Sequence, residues 1–154
     1  MLKKNFFILL FCLITMISCK AVKPELINGI DYRKAIIGKW EATELGLIMK
    51  QFKYELPFRL EFKENQDYYW LYTRMGIRNE RWGDYELDLT KRPVEINLKQ
   101  NKPLNATLKG IIKFKDTKTM HIIFYYTSMM GRVHEFKTNE IQVYKKVLKY
   151  TPQQ

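Results

Sequence analysis

The residues able to do chemistry are few. The chain has two histidines, His121 and His134, and neither H-x-x-x-H nor H-E-x-x-H spacing that would seat a zinc ion. His121 lies between Met120 and Ile122 and shares a strand face with Ile123 and Tyr125, whereas His134 falls in or beside a loop. Serine occurs only at Ser18 and Ser128, and the nucleophile-elbow pattern G-x-S-x-G is missing, as are a P-loop and G-x-G-x-x-G. Asp84, Glu86 and Asp88 recur at every second position. Paired carboxylates can exchange protons, but this spacing puts all three on one strand face, where a solvated outer surface is the simpler reading. The chain reads as a non-enzyme with no metal site and no cofactor. A hydrolase or isomerase built on these acids and histidines is the remote alternative.

The cysteines are more telling. Lys3 and Lys4 precede the apolar run Phe6 to Ile14, FFILLFCLI. That run is shorter than the twenty or so apolar residues a bilayer core demands, and it has the form of an export leader. It ends in Met16-Ile17-Ser18-Cys19, which has the form of a bacterial lipobox: an apolar residue, a spacer, a small residue and a cysteine. Cleavage before Cys19 would free a thiol to carry diacylglycerol. An ordinary leader with an incidental Cys19 is the alternative, but no A-x-A-like cleavage site lies nearby. Removing 1–18 takes away two lysines and no acid, so 154 residues at net charge +11 become 136 at +9. Cys12 leaves with the leader, and no disulfide can staple the fold. Acyl chains on Cys19 give durable anchoring. Lys20 follows the cysteine and the first acid is Glu25, which favours the outer membrane of a Gram-negative envelope over inner-membrane retention.

Apolar residues make up 46% and aromatics 14%, too many for a disordered chain. The basic excess is scattered in small groups, Lys50 and Lys53, Arg74 and Arg78, Lys113 and Lys115, Lys145 and Lys146. Strand alternation turns many outward, and export removes nucleic acid as a partner. An anionic lipid face, an acidic glycan or another envelope protein suits such a surface better.

The elements that position these residues are strands. A tether, 19–29, leads to a short helical turn ending near Ile37, and the barrel unit spans 30–148 with a tail at 149–154. Two-residue alternation then persists to the end. It marks Gly38 to Leu45; Phe58, Leu60 and Phe62; Tyr68 to Thr73, apolar on both faces; Tyr85, Leu87 and Leu89; Val94, Ile96 and Leu98; Leu108, Ile112 and Phe114; Met120 to Tyr126; and Ile141, Val143 and Val147 with Lys145 on the same parity. Two longer connections lie near 46–56 and 127–139. Eight regularly spaced strands with polar turns predict an all-β, eight-stranded antiparallel barrel, whose interior is either filled by side chains or holds one small ligand. Trp70, Tyr72, Tyr85, Phe124, Tyr126 and Met129 are the candidate ligand contacts, since aromatic rings and adaptable methionine suit an apolar cavity. Core packing accounts for the same residues equally well. Leu47, Ile48, Met49, Met129 and Met130 in the long connections could form a lid, a partner surface or a membrane-touching edge.

Gly38-Lys39-Trp40, opening the first strand after a helical turn, resembles the Gly-x-Trp signature of lipocalins. Gly83-Asp84-Tyr85-Glu86-Leu87-Asp88, Pro93, Ile96-Asn97-Leu98 and Gly110-Ile111-Ile112 resemble a bacterial lipocalin-like lipoprotein family, over about residues 36 to 148. Asn97 stands where that family has Asp and Ile112 where it has Tyr; Arg132 and Phe136 match its Arg and Phe before the last strand. The resemblance implies a barrel closed at one end by Gly38 and Trp40, with a basic side chain of the last strand over the indole. Lys145 is the expected residue. It also implies a small hydrophobic or amphipathic ligand, or a lipid; a non-enzymatic scaffold for another envelope protein is the alternative. Its motifs are structural and carry no catalytic residue.

The lipobox reading is checked directly. Cells fed a radiolabelled fatty acid should label the wild-type chain, and Cys19→Ser should abolish the label and leave the leader uncleaved in a mass spectrum.

Overall fold

The computed structural model describes residues 26–101, 105–125 and 135–148. The leader, Cys19, Tyr126, Met129, Met130, Arg132, His134 and the tail 149–154 lie outside the described residues. The order is β1 (Leu26–Ile27), β2 (Ile30–Asp31), α1 (Tyr32–Ala35), β3 (Gly38–Glu44), α2 (Leu47–Gln51), β4 (Tyr54–Phe62), β5 (Asp67–Arg74), β6 (Ile77–Asp88), β7 (Val94–Gln100), β8 (Thr107–Asp116), β9 (Thr119–Tyr125) and β10 (Gln142–Lys146). Strands β3 to β10 pair antiparallel in chain order, and β10 returns to β3, closing an eight-stranded barrel. This is the all-β architecture that the alternation predicts.

Each wall follows from a period of two. On β4, Phe58, Leu60 and Phe62 are buried inward while Arg59 and Glu61 face out. Outward groups pair across strands, Arg59 with Glu41 at 3.3 Å and Lys99 with Glu86 at 3.0 Å; exposed pairs of this kind contribute at most about 1 kcal/mol each. Asp84, Glu86 and Asp88 line the outer face of β6, as their spacing predicts. On β5 the ambiguity is resolved: Tyr68, Trp70 and Tyr72 point inward, Tyr69 and Leu71 outward. Pro57, which has no N–H to donate, lies where the β4–β5 pairing slips between Glu55 and Arg59. Gly83 is demanded by close approach, since a Cβ there would stand 1.9 Å from the Lys99 carbonyl oxygen of β7.

One end of the barrel, the lower end here, is sealed by α1 and Trp40. The Asp31 side chain accepts the Arg33 and Lys34 amides and so starts the helix. Tyr32 sets its ring edge-on to Phe114 of β8 at 4.8 Å, and its hydroxyl oxygen accepts the Phe114 amide at 3.3 Å. The Trp40 indole is wholly buried and donates Nε1–H to the Ile36 carbonyl at 2.7 Å.

The ammonium over Trp40 belongs to Lys146 and not to Lys145. Lys146 Nζ lies 5.2 Å from the indole centroid and donates to the Ala35 carbonyl at 3.0 Å. Lys145 faces outward and donates to Thr119 Oγ1 at 2.9 Å. The parity of β10 is therefore opposite to the expected one: Gln142, Tyr144 and Lys146 point inward, Val143 outward. The cause is size and polar satisfaction. Tyr144 is fully buried, its ring meets Phe58 at 6.3 Å, and its hydroxyl donates to Gln142 Oε1 at 2.8 Å. A large ring with its hydroxyl satisfied buries more surface than Val143 would on the same face.

Around the opposite, upper end stand α2, the start of β4, the β5–β6 turn and the start of β6. Residues 46–56 are read from sequence as a loop but contain the five-residue α2, which buries Met49. Gly46 allows this segment to lie against residue 140, where a Cβ would meet the Glu140 carbonyl oxygen at 2.2 Å.

Denaturant melts should separate the two adjacent lysines. Lys146→Met is expected to cost about 1–2 kcal/mol through loss of the cation–indole contact and the bond to Ala35. Lys145→Met should stay within about 0.5 kcal/mol of the wild type.

Candidate binding site

Two strands, β4 and β5, build an aromatic wall in the upper half of the barrel. Tyr54 and Tyr72 meet at 5.4 Å, Trp70 and Tyr72 at 4.9 Å, and Phe58 packs against Trp70 at 5.3 Å. Trp70 on β5 also meets Phe124 on β9 at 5.7 Å. Those two strands stand on opposite sides of the eight-strand ring. Aromatic side chains thus bridge the lumen at the height of Trp70, and above them Tyr72 and Tyr54 form an aromatic lining, the cup.

A cation faces into this cup. Arg81 of β6 is the cross-strand partner of Trp70, so the two side chains leave the sheet on the same face. The guanidinium lies 6.0 Å from the Tyr72 centroid and donates Nη1–H to the Glu80 carbonyl at 2.9 Å. Arg74 covers Tyr54 at 5.4 Å and donates to the Phe52 carbonyl at 3.1 Å. Arg81, Asn79 and Tyr54 are half-buried, so the cup reaches solvent along β6 and the start of β4.

Two donors on this wall have no protein acceptor. Tyr68 is 1% exposed and Trp70 is 3% exposed, yet neither Tyr68 Oη nor Trp70 Nε1 makes a hydrogen bond. Burial pushes the Tyr68 hydroxyl well above the ordinary phenol range; the charge of Arg81 opposes that rise and Asp84 adds to it. Burial and the neighbouring Tyr72 likewise raise Tyr54, against Arg74 and Arg81. The field of Arg81 therefore reaches both hydroxyls.

The candidate contacts named from sequence are only partly brought together. Trp70, Tyr72 and Phe124 share the cup. Tyr85 stands apart: it packs edge-on to Phe62 at 4.9 Å and its hydroxyl donates to the Lys63 carbonyl at 3.1 Å, so it is committed to packing. Burial raises its pKa as well. Tyr126 and Met129 lie outside the described residues. Sequence reasoning missed Arg81 and Tyr54, and noted Tyr68 only as one of the aromatics crowding its strand. The signal for Arg81 was available in Arg81-Trp82, where the structure turns the charge inward and leaves the indole of Trp82 53% exposed. His121 is on the outer wall beside Lys113 and Val143, and burial with Lys113 and Lys115 lowers its pKa.

Above the cup is an apolar rim with basic residues. Met75 is 68% exposed and Ile77 is 66% exposed, and Leu47, Phe52 and Leu56 are also open to solvent. Lys50, Lys53, Arg74 and Arg78 are exposed on the same segments.

The unpartnered hydroxyl gives a sharp contrast in ligand-free protein. Tyr68→Phe removes a buried group with no acceptor and should raise stability by about 1 kcal/mol, whereas Tyr32→Phe removes a paired one and should lower it by about the same amount. Thermal melts of the two variants check the opposite signs. No protein-family model, curated protein or solved structure matches the chain, so its eight-stranded closed barrel stands on the geometry described above.

Proposed function

We propose that this chain is a lipid-anchored envelope protein of the lipocalin-like kind, which binds a small hydrophobic or amphipathic molecule and performs no chemistry on it. The observation that carries the reading is the aromatic cup of Tyr54, Tyr72 and Trp70 beneath an apolar rim. It offers apolar area with a few polar tips, the usual make-up of a small-molecule site. The bridge of Trp70 and Phe124 favours a ligand near the rim over one along the whole barrel axis. The lipobox at Cys19 supports attachment to the membrane, and Lys20 supports the outer membrane. The Gly38-Lys39-Trp40 signature supports kinship with lipocalin-like lipoproteins.

A second reading rests on the rim. Exposed Leu47, Phe52, Leu56, Met75 and Ile77 among Lys50, Lys53, Arg74 and Arg78 suit contact with another envelope protein or an anionic surface. The otherwise complete chain carrying Cys19→Ala separates the two. A neutral fluorescent lipophile, N-phenyl-1-naphthylamine, should bind with one-to-one stoichiometry, and Tyr72→Ala should weaken it at least fivefold. Absence of binding, together with a native mass spectrum showing no retained lipophile, overturns the carrier reading. Retention of lipophile binding in Met75→Asp/Ile77→Asp alongside loss of a crosslinked envelope partner would add the scaffold role.

A further inference from the structure

The geometry points to an anion subsite inside the barrel: Tyr68 Oη, Trp70 Nε1 and the Arg81 guanidinium together receive the carboxylate head of an amphipathic ligand. The inference rests on the carrier reading and specifies its ligand class.

The three groups share one inner patch. Trp70 and Arg81 are direct cross-strand partners, and Tyr68 pairs with Gly83, two residues further along the same face of β6. Tyr68 and Arg81 are thus diagonal neighbours, about 7–8 Å apart at the backbone and within reach of one small group held between long side chains.

Their chemistry is one-sided. Indole N–H and guanidinium can only donate, and a tyrosine hydroxyl can donate. Trp70 Nε1 and Tyr68 Oη are buried and unbonded, and Arg81 forms no ion pair among the described residues. Among the described residues its guanidinium donates only to the carbonyl of its neighbour Glu80, and its other guanidinium N–H groups remain for a ligand. The missing partner must therefore offer acceptors, and the fixed positive charge selects a negative one. A planar carboxylate has two oxygens and matches the guanidinium fork, with lone pairs left for the indole and the phenol. Burial makes the unmet donors costly, and a bound acceptor relieves that cost.

The orientation follows. The Trp70–Phe124 contact crosses the lumen at the level of the subsite, and Tyr68 stands one inward position nearer the sealed end. Above the contact, Tyr72 and Tyr54 lead to the exposed Leu56, Met75 and Ile77. The head lies inward and the apolar tail runs out toward the rim.

The test uses three ligands with one tail and different heads, decanoate, decanol and decyltrimethylammonium, titrated calorimetrically into the complete chain carrying Cys19→Ala. Decanoate should bind at least tenfold more tightly than decanol, and the cation more weakly than either. Acetate, the head without the tail, should compete only weakly. Arg81→Gln should lose at least tenfold for decanoate and leave decanol unchanged; Trp70→Phe and Tyr68→Phe, which keep an aromatic ring, should each lose several-fold for decanoate alone. If Arg81→Gln does not fold, Arg81→Lys replaces it and should lose part of the preference. Equal affinity for all three heads, or an Arg81 variant with unchanged preference for decanoate, overturns the subsite while leaving the carrier reading intact. Failure of all three to bind removes both.

Discussion

The structure depends on the closure of β10 onto β3 at the buried indole of Trp40. Lys146 and Trp40 are partners across that last seam, so the ammonium over the ring and the pairing of the strands are one arrangement. The same ammonium donates to Ala35, and the indole donates to Ile36, so α1 is held to both ends of the chain of strands. A cation over an indole is worth about 0.5–2 kcal/mol, depending on how far it is desolvated. Its position matters more than its size. Without this seam β3 and β10 would both be free edges, and the inner faces of all eight strands would lose their enclosure.

The buried polar atoms of the interior do not all obey one rule. In the lower half, polar atoms among the rings find partners: Tyr32 accepts from Phe114, Tyr85 donates to Lys63, and Trp40 donates to Ile36. On β5, Tyr68 and Trp70 are equally buried and unpartnered, and a charged group faces inward beside them. Asn97 Oδ1 and Glu140 Oε2 are also buried without a partner, but they are acceptors; at Tyr68 and Trp70 the unmet groups are donors beside an inward cation.

The strand plan was legible because alternation is a property of sheets with one wet face. Phe58, Leu60 and Phe62, or Val94, Ile96 and Leu98, can be assigned by residue type alone. Two places resist that logic. Tyr68 to Thr73 is apolar on both sides, and only pairing with β6 decides that Trp70 and Tyr72 are internal. In β10 the expected inward run of Ile141, Val143 and Lys145 loses to Gln142, Tyr144 and Lys146, since a polar residue that bonds a buried tyrosine looks like an outer one in sequence. The site suffered from the same blindness. Arg81 reads as one of several scattered charges until its cross-strand partner is known, whereas Trp70, Tyr72 and Phe124 declare themselves by their rings. The short α2 escaped because a five-residue helix is too brief to show a period.

The order in which the chain enters the barrel fixes which way the cup looks. β1, β2 and α1 come first and sit at the sealed end, so any upstream attachment pulls on that end. Six residues separate Cys19 from Leu26, a leash of roughly 25 Å when taut. Under the proposed acylation of Cys19, the indole plug would lie toward the lipid and the rim would face the aqueous compartment. Cargo would then board and leave on the side remote from the protein's own leaflet, as a bucket moored by its base fills from the far side.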